Sequence, residues 1–155
     1  SKVRASNIEL LISKERVDDL ESAPSDLVSL ECSITSFGWD FGTAEEEDTT
    51  PLCEDEARHT EYSLRGKGTI TIDMFFDPES EAYQSLLQSN NDLYKRYIKA
   101  IYKNDDKVVM TREVLGTVES VNETAEVGTH VKASISIGTS GKVKVTEGAG
   151  TGGLD

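Results

Sequence analysis

Period-two alternation of apolar and polar side chains constrains this chain more than any other feature. From Val28, the residues Val28, Leu30, Cys32 and Ile34 alternate with Ser29, Glu31, Ser33 and Thr35, the spacing of a strand with one buried and one wet face. The same period returns over 128–138, with Val131, Ala133, Ile135 and Ile137 inward and Lys132, Ser134 and Ser136 outward. It returns again from about Tyr62 to Phe76, with Leu64, Ile70, Ile72, Met74 and Phe76 on one side. There Gly66 and Gly68 break the apolar side, as at a bulge or a close backbone approach. Asn7 to Ser13 holds a first strand through Ile8, Leu10, Leu11 and Ile12, and Ser22–Asp26 is turn chemistry. Leu93 to Lys103 sets Tyr94 and Tyr102 against Tyr97, which predicts a strand contacted on both faces. From Val108 to Val121 a long β-branched run contains Gly116 and predicts a strand with a bulge or bend.

One helix interrupts the strands. Asp77-Pro78-Glu79 offers an N-cap acceptor, a proline at the first helical position and an acid near the positive end of the helix dipole. Ala82, Tyr83, Leu86 and Leu87 lay one apolar stripe against a sheet, and Ser89-Asn90-Asn91 ends the helix near residue 90. The 155 residues read as one domain over 1–147 and a glycine-rich, flexible tail over 148–155.

Mean hydropathy of -0.42 and a hydrophobic content of 36 % leave much of the chain solvated or buried against something other than its own core. A formal net charge of -13 argues against holding nucleic acid by phosphate neutralisation. From Asp40 to Glu61 nine acidic residues face the single basic Arg58, so eight of the thirteen net negative charges fall in this stretch, most of it one long loop, about 39–60. No apolar run is long enough for a membrane span, and Ser1 to Arg4 opens no export signal. The expectation is a soluble protein.

Chemistry is not apparent. His59 and His130 sit in no catalytic motif, and Gly66-Lys67-Gly68 lies within a strand rather than at a strand-to-helix turn. Glu45-Glu46-Glu47-Asp48 and Glu54-Asp55-Glu56 lack EF-hand spacing and read as a solvated charge run. Cys32 reads as a buried thiol and Cys53 as an unpaired small residue. No catalytic residue, metal site or cofactor is expected.

The order of parts is informative: a strand, a long strand into an extended acidic loop, a strand into a single helix, then three strands closing on a Ser-Gly turn. With Ser36-Phe37-Gly38 leading into a loop that carries Asp48-Thr49-Thr50, and with 134–141 reading Ser-Ile-Ser-Ile-Gly-Thr-Ser-Gly, the chain from Val28 to Val145 resembles bacteriophage tail tube proteins. The resemblance implies a β-sandwich or small β-barrel with one flanking helix. It further implies subunits in six-fold rings whose sheets join around a channel that conducts DNA without binding it. Tape measure, terminator and distal tail proteins would be partners, and the protein would be made in the host cytoplasm and reside in the virion. On that resemblance the contact between rings is made by Trp39, Asp40, Phe41, Glu45, Glu46, Glu47, Asp48, Thr49, Thr50, Glu54, Asp55, Glu56 and Arg58. Tyr83, Leu86 and Leu87 pack the helix. Alternative readings are the tube of a contractile tail or type VI secretion system, and a monomeric β-sandwich binding module using Trp39, Phe41 or Tyr62 as stacking aromatics.

Overall fold

A computed structural model describes residues 2–22, 24–30, 33–42, 46–48, 60–62 and 67–147. After a 3-10 turn at Ala5–Asn7, the strands are β1 Ile8–Ser13, β2 Leu27–Ser29, β3 Ile34–Asp40, β4 Glu46–Asp48, β5 Thr60–Tyr62 and β6 Gly68–Phe75. Helix α1 Glu81–Asp92 follows, then β7 Arg96–Asn104, β8 Lys107–Thr124 and β9 Lys132–Glu147. Seven strands make one antiparallel sheet in the order β2-β1-β7-β8-β9-β6-β3, and β4 and β5 make a separate two-stranded ribbon.

The two edges of the large sheet, β2 and β3, are consecutive in the chain. Leu30 N–H donates to Leu10 O at 2.9 Å, and the next described residue, Ser33, accepts from Phe75 N–H at 2.9 Å. The link thus passes from the β1 side of the sheet to the β6 side and draws the edges together. The continuous strand expected over Val28–Thr35 is therefore a corner. Alternation survives there because Val28, Leu30 and Ile34 all face the core as the chain crosses from one edge to the other. Cys32 lies outside the described residues.

The enclosed space is filled by Leu10 and Ile12 from β1, Ile98 and Ala100 from β7, and Val114 and Val118 from β8. Ile70, Ile72 and Met74 from β6 and Ala133, Ile135 and Ile137 from β9 complete it. Strands from both halves of the sheet share one core; the mainly β character is what the alternation predicts, and the sandwich-to-barrel form with one flanking helix is what the resemblance implies.

Curvature comes from irregular pairing on the two long strands. Val118 pairs with Ile137 and Ser120 with Ser136, which leaves Glu119 as an extra residue on β8. Leu115 pairs with Ser140 and Glu113 with Lys144, so three β9 residues stand opposite Val114 alone. The Ser-Gly turn expected at 139–141 is this bulge: β9 runs on to Glu147, and the glycine relaxes a kink instead of reversing the chain.

Gly116 is buried in regular pairing. A Cβ there would stand 2.7 Å from Ile137 Cγ2 and 3.1 Å from Ile98 Cδ1. Gly116→Ala is expected to cost about 1–3 kcal/mol through overpacking, read as a lower urea midpoint at unchanged slope.

The helix begins three residues later than its sequence signal. Asp77 Oδ1 accepts from Glu79 N–H in a local turn at 3.1 Å, and Ser80 supplies the N-cap, accepting from Tyr83 N–H at 3.3 Å. It ends at Asp92 on Leu93, whose left-handed φ of 61° lets its N–H reach Ser89 O. Ala82, Tyr83, Ser85, Leu86 and Ser89 form the buried face, while Leu87 is 37 % exposed. Leu87 is thus not a packing residue, and two serines complete the stripe. Ser89 has a reason to be polar: its hydroxyl donates to Tyr94 O at 3.0 Å and accepts from Val118 N–H at 3.1 Å, and Asn90 donates to Val118 O at 3.2 Å. These bonds serve the backbone beside the Glu119 bulge, where a buried amide without a partner would be costly.

Strand β7 is covered on both faces, as Tyr97 and Tyr102 predict, while Leu93 and Tyr94 lie before the strand and are exposed. Ile98 and Ala100 enter the main core, while Tyr97 packs with Val17 and Leu115 beneath the β1–β2 connection. That connection is fixed by Val17 N–H to Lys95 O at 3.0 Å.

Candidate assembly surfaces

Three surfaces stand out once the barrel is assembled: the root of the acidic segment, the unpaired strand edges, and the end of α1. Strand β3 runs further than expected into the loop placed at about 39–60. Trp39 and Asp40 belong to β3, paired with Ile70 and Thr69, and Phe41 follows directly. Their strand character is hidden in the sequence because Thr35 is an extra residue in the β3–β6 pairing. It inverts the parity, so Phe37 and Trp39 join Ile34 against the core.

Beyond Gly42 the acidic segment contains the ribbon, with Glu46, Glu47 and Asp48 opposite Tyr62, Glu61 and Thr60. A loop without strands was expected there. Glu45, Thr49, Thr50, Glu54, Asp55, Glu56 and Arg58 lie outside the described residues, as do Cys53, His59 and the 63–66 part of the strand expected from Tyr62.

At the root the aromatic rings are occupied by one another. Trp39 stacks on Phe41 with centroids 4.8 Å apart, and Phe37 meets Trp39 edge-on at 6.4 Å. The Arg112 guanidinium lies 4.7 Å from the Phe41 ring centre and 5.2 Å from that of Tyr102. Trp39 and Phe41 are therefore packing residues, not the open platform that a sugar-binding surface would use.

The edges follow from the pairing. Strand β7 accompanies β8 only as far as Gly116, and β6 accompanies β9 only as far as Thr139. Thus β8 from Thr117 to Thr124 and β9 from 140 to 147 each lack a strand on one side among the described residues. On β8 the N–H and carbonyl of Val118 are already taken by Ser89 and Asn90 of α1, and the remaining edge is a template for pairing with another chain. The face beside them carries a Lys67–Glu119 ion pair that crosses Gly138. A Cβ at Gly138 would meet Lys67 Cε at 2.5 Å and Glu119 Oε2 at 2.6 Å, so the glycine makes room for the pair.

At the end of α1, Asp92 accepts from Arg96 at 2.9 Å and from Tyr94 N–H at 2.8 Å. The Arg96 hydrogen bond holds the Asp92 carboxyl below the usual carboxylate range. Arg96 is buried, which ties helix to β7. Leu87, Leu93 and Tyr94 remain exposed nearby in sequence, with the Arg16 guanidinium 4.1 Å from the Tyr94 ring centre. Two tyrosines elsewhere donate to carboxylates, Tyr83 to Glu123 at 2.5 Å and Tyr97 to Glu113. Burial foremost, then the acceptor, pushes both phenols above their ordinary range.

Among the described residues no three His, Cys, Asp or Glu side chains gather as metal ligands, and no helix is long and apolar enough to cross a membrane. An open depression lined by Lys14, Glu81, Gln84, Ser85 and Gln88 contains a Lys14–Glu81 ion pair at 2.7 Å.

No protein-family profile matches the chain, and no curated protein sequence does. Solved structures do. The SPP1 tail tube superposes with a TM-score of 0.64 at 12 % identity, covering 94 % of this chain and 80 % of that one. A chain of the sheath–tube complex of an extracellular contractile injection system, PVC, gives 0.63 at 11 % identity over 94 % of this chain and 92 % of the other. A chain from the C6-symmetric tail of an empty gene transfer agent particle gives 0.58 at 16 % identity over 88 % and 95 %. The fold of this chain is that of a tail tube subunit.

Proposed function

We propose that the chain is a structural, non-enzymatic subunit that assembles with copies of itself into the tube of a phage or phage-like tail. The observation that carries the reading is the match to the SPP1 tail tube over 94 % of the chain. The unpaired edges of β8 and β9 supply a physical reason for association, since strand addition from a neighbour would satisfy backbone groups that a lone barrel leaves to solvent.

In finer detail, the subunits form closed six-fold rings, because a repeated edge-to-edge contact that closes makes a ring and stacked rings make a tube. The acidic segment and its root reach the adjacent ring. The channel passes DNA during ejection, and the net charge of -13 per subunit disfavours adhesion of phosphates to the wall. Tape measure, terminator and distal tail proteins meet the tube at its core and ends, and the assembled protein resides in the virion.

Light scattering behind size exclusion tests the reading across protein concentration and salt. Screening of repulsion between acidic subunits should favour association as salt rises. The expected result is mass in multiples of the subunit, rising with concentration. A single monomeric mass under every condition would overturn it.

A further inference from the structure

Where β3 ends, at the mouth of the barrel, Trp39, Phe41, Tyr102 and Arg112 cluster through the Trp39–Phe41 stack and the Arg112 contacts with both Phe41 and Tyr102. Trp39, Tyr102 and Val143 rest on the core, and Arg112 lies over the rings of Phe41 and Tyr102. Its nearest polar partner is the Tyr102 hydroxyl, at 3.3 Å. Among the described residues Arg112 has no carboxylate partner. Trp39 Nε1, in the same mouth, is buried without an acceptor among those residues. A guanidinium lying against aromatic rings still has N–H groups left for an acceptor, and a carboxylate matches its fork. Because stacking already orders the side chain, little rotamer entropy is left to lose on binding.

We propose that this mouth is a docking seat for a carboxylate of the acidic segment, residues 43–59, of a second copy of the chain. The inference rests on the self-assembly reading above. Charge complementarity selects the occupant: residues 43–59 carry seven acidic residues and one basic, Arg58, and the seat offers a cation lying against aromatic rings. A second copy is favoured because, among the described residues, β4 and β5 hydrogen-bond to each other and to no strand of the barrel.

The test uses two full-length variants. Arg112→Gln removes the seat's charge, and a variant with Glu45, Glu47, Glu54 and Glu56 all changed to Gln removes the occupant's. Circular dichroism and thermal melts establish that each folds. Each alone is expected to need at least tenfold more protein than wild type to assemble. Mixed in equal amounts, they are expected to give a 1:1 complex in sedimentation velocity, because one supplies an intact seat and the other an intact acidic segment. Arg112→Lys, which keeps charge but not the planar fork, should fall between wild type and Arg112→Gln.

Assembly of Arg112→Gln at wild-type concentrations would overturn the seat while leaving the tube reading standing. A mixture that stays monomeric would overturn docking between copies. Wild-type protein that never associates would sink the tube reading itself, and the seat with it. Should Arg112→Gln not fold, the acidic-segment variant carries the test, since it alters no residue of the barrel. Added to wild type it must be incorporated through its intact seat and stop growth at that contact, and exclusion from wild-type assemblies would overturn the proposal.

Discussion

Tyr83→Ala is expected to cost about 3–5 kcal/mol, the largest loss from any single side chain considered. Tyr83 is fully buried, meets Phe76 edge-on at 5.4 Å and donates to Glu123 on β8. Truncation leaves a ring-sized cavity between α1 and the sheet and removes that cross-link. Tyr83→Phe separates the two effects. It keeps the ring and loses only a hydrogen bond to an exposed carboxylate, so it should cost about 1 kcal/mol. Urea unfolding measures both.

The same phenol gives stability a pH dependence. Its folded-state pKa is raised by burial and by Glu123, and that of Tyr97 by burial and by Glu113. A group with a raised folded pKa contributes stability that is complete below its unfolded value and is lost as pH rises. Stability should therefore fall above about pH 10, where unfolded tyrosine ionises, and Tyr83→Phe should flatten that decline.

Asp92→Ala should cost about 3 kcal/mol by leaving Arg96 as a charge without its partner. The Arg96 side chain is 3 % exposed and that of Asp92 20 %, so the expected loss lies at the low end for a buried pair. Asp92 sits at the C-terminal end of α1, where a negative charge opposes the helix dipole. Its presence is explained by Arg96 and by the Tyr94 N–H. Changing both, Asp92→Leu with Arg96→Met, should recover most of the loss, because an apolar pair of similar volume needs no compensation. The sign of the acid effect follows from the depressed Asp92 pKa, caused first by the Arg96 hydrogen bond. This contribution is present above the unfolded value and is lost as pH falls below about 4. A chemical-denaturation series from pH 7 to pH 3 on wild type and Asp92→Ala should show the two curves converging at the acid end.

Much of the fold is legible in the sequence because burial on one face of a strand leaves a period-two trace. Ile70, Ile72 and Met74, and Ala133, Ile135 and Ile137, are core residues by that trace alone. What periodicity does not carry is direction. Val28 and Leu30 before the corner and Ile34 after it all face the core, so alternation runs through it unmarked. The Ser-Gly at 140–141 looks like a reversal, yet extra residues opposite Val114 absorb it within β9. A single extra residue, Thr35, shifts Phe37 and Trp39 onto the face of Ile34, so the strand end is read as loop.

The helix stripe is misread at Leu87 for a different reason. Ser85 and Ser89 are buried, and Ser89 binds the backbone of Val118, a partner that no local pattern reveals. At the candidate surfaces, the acidic segment is visible as charge, but its ribbon is not, since Glu46-Glu47-Asp48 has neither apolar alternation nor strand propensity. Arg112 has no signature in the sequence, since it and Lys107 are merely the two cations of a β-branched strand. Only the fold brings Phe41 and Tyr102 beside it.

Negative-stain microscopy of the concentrated full-length protein at moderate salt tests the tube assignment most directly. Hollow tubes, or rings with a central channel, are the expected result. Uniform particles of single-subunit size, at concentrations and salt where repulsion is screened, would contradict it.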